Sequence, residues 1–166
     1  RRLRMACRLR LNSARPFLAF GKLFLRHGEL AQAEESLSIA RQNAEGTELA
    51  AVEAALAQVR EQAGDLDGAW QYALSAARAQ PENREWLLAA RRIVRKLGDT
   101  GQEIELYARY LSRRPGDVEI LTELARLRLE SGELQQAADL AERALLLAPD
   151  NTDAEGILNA CSSATR

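Results

Sequence analysis

The sequence predicts an all-α fold of stacked helical hairpins, and three observations carry that prediction. Gly28, Gly64, Gly98 and Gly132 recur 36, 34 and 34 residues apart, and Pro81, Pro115 and Pro149 recur 34 apart. Between these markers the apolar residues keep helical spacing, as at Leu121, Leu124 and Ala125 before Gly132 and at Ala137, Leu140, Ala141, Ala144 and Leu145 after it. Four Pro and ten Gly among 166 residues, against abundant Ala, Leu, Glu and Arg, leave little that interrupts a helix. One such hairpin bears two apolar stripes and cannot bury both alone. Recurrence supplies the neighbours that cover them.

Taken in order, residues 1–13 place Leu3, Ala6, Cys7 and Leu9 at the spacing of a second helix, and are expected to be the latter half of a preceding repeat. An Arg-rich, acid-free leader is the competing reading. Residues 14–49 carry Phe17, Phe20, Gly21, Phe24, Gly28, Ala33, Leu37 and Ala40, but lack the Pro and run two residues long. There Glu45-Gly46-Thr47-Glu48 marks the turn, and Thr47 is expected to cap a helix starting near Glu48. Residues 50–83 keep Leu56, Ala57, Gly64, Ala69, Ala73, Ala76 and Pro81, with Glu53 and Arg60 where apolar residues belong. Residues 84–117 keep Gly98, Tyr107, Tyr110 and Pro115, but set Arg91 and Glu103 at positions for small residues. Thr100-Gly101-Gln102-Glu103 has the spacing of a capping box, which would start the second helix late and leave a shifted, looser hairpin. Residues 118–151 are the most regular unit, with Gly132 able to take the left-handed turn and Pro149 unable to continue a helix. Residues 152–166 begin another first helix with Ile157 and Leu158 and then lose the pattern, as a capping or truncated helix would. Trp70 and Trp86 fall where one hairpin packs on the next, so core packing is expected of both.

This succession of bulky, small, aromatic, Gly, Ala and Pro positions resembles the tetratricopeptide repeat over most of the chain. The resemblance implies a right-handed α-α superhelix, a single solenoid of about four full repeats plus partial ones at both ends. It also implies a non-catalytic scaffold that binds a protein or peptide in a groove lined by the first helices. Carried over residue by residue, the groove would be lined by Arg15, Leu18, Lys22, Leu25 and Arg26, then Ala51, Ala54, Ala55, Gln58 and Glu61. Leu88, Arg92, Arg95 and Lys96 follow from the third repeat, and Thr122, Arg126 and Leu129 from the fourth. Arg92, Arg95 and Lys96 share a helical face and suit acidic side chains of a peptide, or pairing within their own helix. Ala54 would leave room for a helix or loop to enter. Bacterial relatives of this kind imply an envelope or exopolysaccharide export assembly, and a predominance of Arg over Lys (only Lys22 and Lys96) points the same way, to a bacterium. The compartment, cytoplasm or periplasm, is left open.

Charge adds one more partner. Residues 1–28 hold eight basic side chains and no acid, whereas residues 117–156 set ten acids against Arg126, Arg128 and Arg143. That asymmetry permits head-to-tail self-association between the basic and acidic ends. Motifs for catalysis, metal or cofactor are not found: there is one histidine, His27, no close cysteine pair and no Gly-rich phosphate loop. Cys7 and Cys161 lie at opposite ends of the predicted array, too far apart to bridge. No apolar run is long enough to span a membrane. Two alternatives stand beside the scaffold. A helical-repeat RNA binder is disfavoured by the acidic fourth repeat, and a regulatory domain fused to an enzyme depends on what flanks this segment.

Overall fold

The computed structural model describes residues 13–164, and among them there are nine α-helices and no strand. They are α1 (Ala14–Arg26), α2 (Leu30–Asn43), α3 (Gly46–Gln62), α4 (Leu66–Ala79), α5 (Arg84–Leu97), α6 (Thr100–Arg113), α7 (Val118–Glu130), α8 (Leu134–Leu147) and α9 (Thr152–Ala164). The expectation for residues 1–12, Cys7 included, lies outside the described residues. The packing divides the chain into two compact units, one ending at Leu97 and the other starting at Gly98.

In the first unit α1 pairs with α2 and α3 with α4, α2 packs on α3 and α4 on α5, and the first helices α1, α3 and α5 lie side by side. Phe17, Leu37, Val52, Leu56 and Val59 form its main core. Gly21 lets α1 and α2 approach, because a Cβ there would stand 2.4 Å from Leu37 Cγ. Trp70 is buried, and Trp86 packs on Ala50, Ala54 and Ala76 while its indole N–H donates to Gln80 Oε1 at 2.9 Å, so both tryptophans serve packing as expected. In the second unit α6 packs on α7, α7 pairs with α8, α8 packs on α9, and α7 lies beside α9. Its buried residues include Leu121, Leu124, Ala125, Ala137, Ala141, Ala144, Ile157 and Cys161.

The turns explain the recurring glycines. At the end of α1 the Glu29 N–H reaches Phe24 O at 2.9 Å and the Gly28 N–H reaches Leu25 O at 3.1 Å. The same two bonds recur after α3 and after α7. This closure needs a left-handed residue, and Gly28, Gly64 and Gly132 supply it with φ of 74°, 82° and 78°. Helix starts also recur at the repeat period. Asn83, Asp117 and Asn151 each accept a backbone N–H at the head of α5, α7 and α9.

Two local expectations are corrected. Thr47 does not cap a helix: α3 starts at Gly46 with Glu45 before it, and Thr47 lies within the helix. The 17 residues of α3 take up the extra length of this repeat as an added helical turn. Nor does a capping box at Thr100 delay α6. Asp99 is the cap, its Oδ1 accepting from the Gln102 N–H at 2.9 Å, and α6 starts 34 residues after α4 and 34 before α8. Those hydrogen bonds, the one from the Gln102 backbone first, hold the exposed Asp99 carboxyl below its ordinary pKa. Glu103 is accommodated in register as a buried residue, where it accepts a hydrogen bond from Tyr107 Oη at 2.7 Å.

Candidate partner-binding surface

The predicted groove residues separate into two sets by burial. Leu25, Ala54, Ala55 and Thr122 are buried. Leu25 and Ala55 belong to the main core of the first unit, and Ala54 packs with Trp86, so its small side chain makes room for the chain itself and not for an incoming helix. Thr122 Oγ1 donates to Val118 O at 2.9 Å and accepts from Asn151 Nδ2 at 2.9 Å, tying α7 to the head of α9. These four stabilise the wall without presenting a side chain to a partner.

The remaining positions are reachable. Arg15, Lys22, Arg26, Gln58, Arg92, Arg95 and Lys96 are exposed, and Leu18, Ala51, Glu61, Leu88, Arg126 and Leu129 are half-buried. Helical spacing accounts for the division, since each first helix turns one stripe to its own hairpin and the next to the face shared by α1, α3 and α5. On α1, Arg15 pairs with Glu48 at the head of α3. On α7 of the second unit, Arg126 pairs with Glu123 at 3.2 Å and with Asp153 of α9 at 3.1 Å.

Five residues of α3 and α5 come together most clearly. Gln58, Glu61, Gln62, Arg92 and Lys96 line an open cleft of ≈600 Å³. Across it Arg92 Nη2 donates to Glu61 Oε2 at 2.6 Å and Lys96 Nζ to Glu61 Oε1 at 2.7 Å. The two cations therefore pair neither with a neighbour on α5 nor with solvent alone, but with a carboxylate one hairpin away. Two positive charges on one negative leave the cleft net positive.

Two interhelical pairs were not legible as functional groups. Glu53 and Arg60, the departures from the repeat pattern in α3, face Arg41 and Glu34 of α2. Among the described residues no group of acidic, His and Cys side chains is arranged to hold a metal, and no helix is long and apolar enough to cross a membrane.

The architecture defines a class first: an α-helical repeat protein built of antiparallel hairpins. Residues 94–161 match the sequence model described as tetratricopeptide repeat. No protein with a curated description matches in sequence. Among solved structures the chain is similar to YrrB, a tetratricopeptide-repeat protein described as having an unusual peptide-binding site, at 17% identity and a TM-score of 0.67, covering 97% of this chain and 82% of that one. It is also similar to a tetratricopeptide-repeat protein of Parabacteroides merdae, at 21% identity and a TM-score of 0.68, covering 91% of this chain but 60% of that one. MamA of Desulfovibrio magneticus aligns over 92% of this chain and 85% of its own, at 12% identity and a TM-score of 0.60. The fold is that of the tetratricopeptide-repeat solenoids, and the family resemblance drawn from the sequence is supported, directly so over residues 94–161.

Proposed function

We propose that this chain is a non-catalytic protein-interaction scaffold whose first unit captures an acidic peptide on the face of α1, α3 and α5. Scaffolds of this fold serve protein–protein interaction generally, and a neighbour described by its peptide-binding site supports that direction. The observation that carries the reading is the convergence of Arg92 and Lys96 on Glu61 in an open cleft. A peptide carboxylate can share these donors, and Gln58 and Gln62 beside them suit its backbone amides. Arg15, Lys22 and Arg26 extend the basic character along α1, with Leu18, Ala51 and Leu88 offering apolar contact. Arg95 adds to the charge of α5. Arg126 and Leu129 form a smaller surface of the second unit. An envelope or exopolysaccharide setting gains no support from the structure or its neighbours.

Fluorescence anisotropy with a labelled Glu/Asp-rich peptide, and with its Gln/Asn counterpart, tests the reading. Reversing both cations (Arg92→Glu with Lys96→Glu) should weaken binding of the acidic peptide at least ~10-fold, with the helical circular dichroism retained. Added salt should weaken the wild-type complex, since the contacts are exposed charges. Equal affinity for both peptides, or no loss on charge reversal, would refute it.

A further inference from the structure

The second helices all end at the same point of the repeat, and their last two residues are Gln42-Asn43 in α2, Arg78-Ala79 in α4, Ser112-Arg113 in α6 and Leu146-Leu147 in α8. Every one of these residues is exposed. Three of the pairs are polar or small, as a surface position asks, whereas the fourth sets two leucines in water, Leu146 82% and Leu147 54% exposed. Leu23, the other large apolar side chain exposed among the described residues, has a simpler account: it stands where the next two hairpins bury Val59 and Ile93. No equivalent of Leu146 or Leu147 is buried in any hairpin, so the stacking of repeats does not explain them. Adjacent exposed leucines at a position otherwise kept polar mark a contact surface.

The surroundings of the pair define what it fits. Gln136, Asp139, Leu140, Arg143, Leu146 and Leu147 fall within ~120° of arc around α8. The first four of them line one side of an open groove of ≈550 Å³, to which Leu111, Pro115 and Leu124 give apolar walls, so the leucines prolong an apolar groove. Charge is placed evenly about the pair: Arg143 lies three residues before Leu146, and Asp150 three after Leu147, in the turn that follows α8. Both are exposed, Arg143 Nη2 reaches only Pro115 O at 3.5 Å, and neither has an ion-pair partner among the described residues. Glu142 is turned ~100° away from Arg143 around the helix. An apolar centre flanked by one cation and one anion is its own complement. Turned end over end, it sets Arg143 against Asp150 on both sides, with leucine on leucine between, whereas an acidic or a basic partner would satisfy only one of the two charges.

We propose that two copies of this chain associate about a twofold axis passing between Leu146 and Leu147, the ends of their α8 helices antiparallel. Leu146 and Leu147 of each copy pack on those of the other, and each Arg143 pairs with Asp150 of the other copy. Such a contact closes as a dimer, unlike the head-to-tail pairing that the charge asymmetry of the two ends permits, which would extend into a chain. Centred on one helix end, it belongs to the small interfaces, and the dimer is weak and concentration-dependent. It lies on α8 and does not depend on peptide capture by α3 and α5.

The test is analytical ultracentrifugation of the whole chain at low salt, from about 10 μM to about 1 mM. The wild type should pass from monomer to dimer and no further. Leu146→Gln with Leu147→Asn installs the pair of the first hairpin; both positions are exposed, so the helical circular dichroism should hold while dimerisation weakens at least ~10-fold. Arg143→Asp and Asp150→Arg should each weaken self-association by ~10-fold, since each turns two attractive pairs into two repulsive ones. Mixed in equal amounts, these two variants should recover the dimer, because each then meets the opposite charge in the other. The proposal is overturned by a monomer throughout the range, by assembly beyond the dimer, by an undiminished dimer in the leucine variant, or by a mixture that fails to recover. Loss of the dimer in Lys22→Glu with Arg26→Glu would overturn it too, assigning the contact to the basic face of α1.

Discussion

Replacing Glu53 by Leu should stabilise the protein, and replacing its partner Arg41 by Leu should do the opposite. The carboxylate is almost fully removed from water, with its side chain 4% exposed, whereas the Arg41 side chain is 52% exposed. The bond between them raises the pKa of Arg41, first through the hydrogen bond to Glu53 and then through the charge of Glu53. In Glu53→Leu the guanidinium simply turns to solvent. The lost charge-assisted bond, worth ~1.5–3 kcal/mol, is offset by relief of a desolvation cost of several kcal/mol, and the new side chain gains ~1.5–3 kcal/mol on burial beside Leu49 and Leu56. With partial cancellation the net is a gain of ~1–2 kcal/mol, or ~2–8 °C in Tm for a chain of this size. In Arg41→Leu the carboxylate stays buried and unpaired, which costs ~2–4 kcal/mol, reduced from the fully buried case because Arg41 is half-exposed. Urea unfolding followed by circular dichroism measures both. A loss of stability in Glu53→Leu, or equal losses in the two variants, would show that the pair holds the fold together and that its cost has been misjudged.

Three other outcomes follow from the geometry. Gly21→Ala should destabilise by ~1–2 kcal/mol, because a Cβ 2.4 Å from Leu37 Cγ overpacks a site where Leu37 is 0% exposed, a cost that exceeds the ~1 kcal/mol gain in helix propensity; an unchanged urea midpoint would refute it. Tyr107→Phe should cost ~1–3 kcal/mol by removing the hydroxyl that donates to the buried Glu103 at 2.7 Å, again read from the urea midpoint. The Asp99 cap should make stability depend on acid. Its folded-state pKa is depressed, so its contribution is complete above the ordinary Asp value and fades as pH falls through the folded value. The stability gap between wild type and Asp99→Ala should therefore be constant near neutrality and narrow only below about pH 4. A gap that is already closing at pH 6 would point to another group.

The frame of the fold was legible because it is made of residues with few alternatives. A left-handed turn selects glycine, and four turn glycines at the repeat period marked every hairpin turn before any helix was drawn. The interior was legible where a stripe is simple, as along Ala137, Ala141 and Ala144, all 0% exposed. Caps were harder. Thr100 and Thr47 have the right side chains, yet Asp99 caps α6, and Glu45 precedes α3 with no side-chain cap at all, because the cap position is set by where the preceding turn ends and not by residue type alone. Groove residues were half-legible. The first-helix positions face one surface, but whether a given position is wall or contact depends on the neighbouring hairpin. Trp86 turns Ala54 into core in a way that no single repeat encodes.

The least legible feature is the seam between α2 and α3. Glu53 and Arg60 read as failures of the repeat pattern because each was judged against its own hairpin. Their partners lie on the preceding one: Arg41 opposite Glu53 and Glu34 opposite Arg60. The two α3 residues are seven apart, as are the two on α2, and the order is reversed as it must be for antiparallel helices. Sliding α2 by one heptad in one direction would set Glu34 against Glu53, and in the other would set Arg41 against Arg60. Either slip places like charges together at half-buried or buried positions, which costs more than an apolar mismatch would. Apolar stripes of Ala and Leu tolerate such slips, and a repeat array offers many similar stripes to choose among. The two charge pairs thus pick one register for the second hairpin on the first, at an expense in stability, and part of that expense is the buried Glu53 Oε2, which has no hydrogen-bond partner among the described residues.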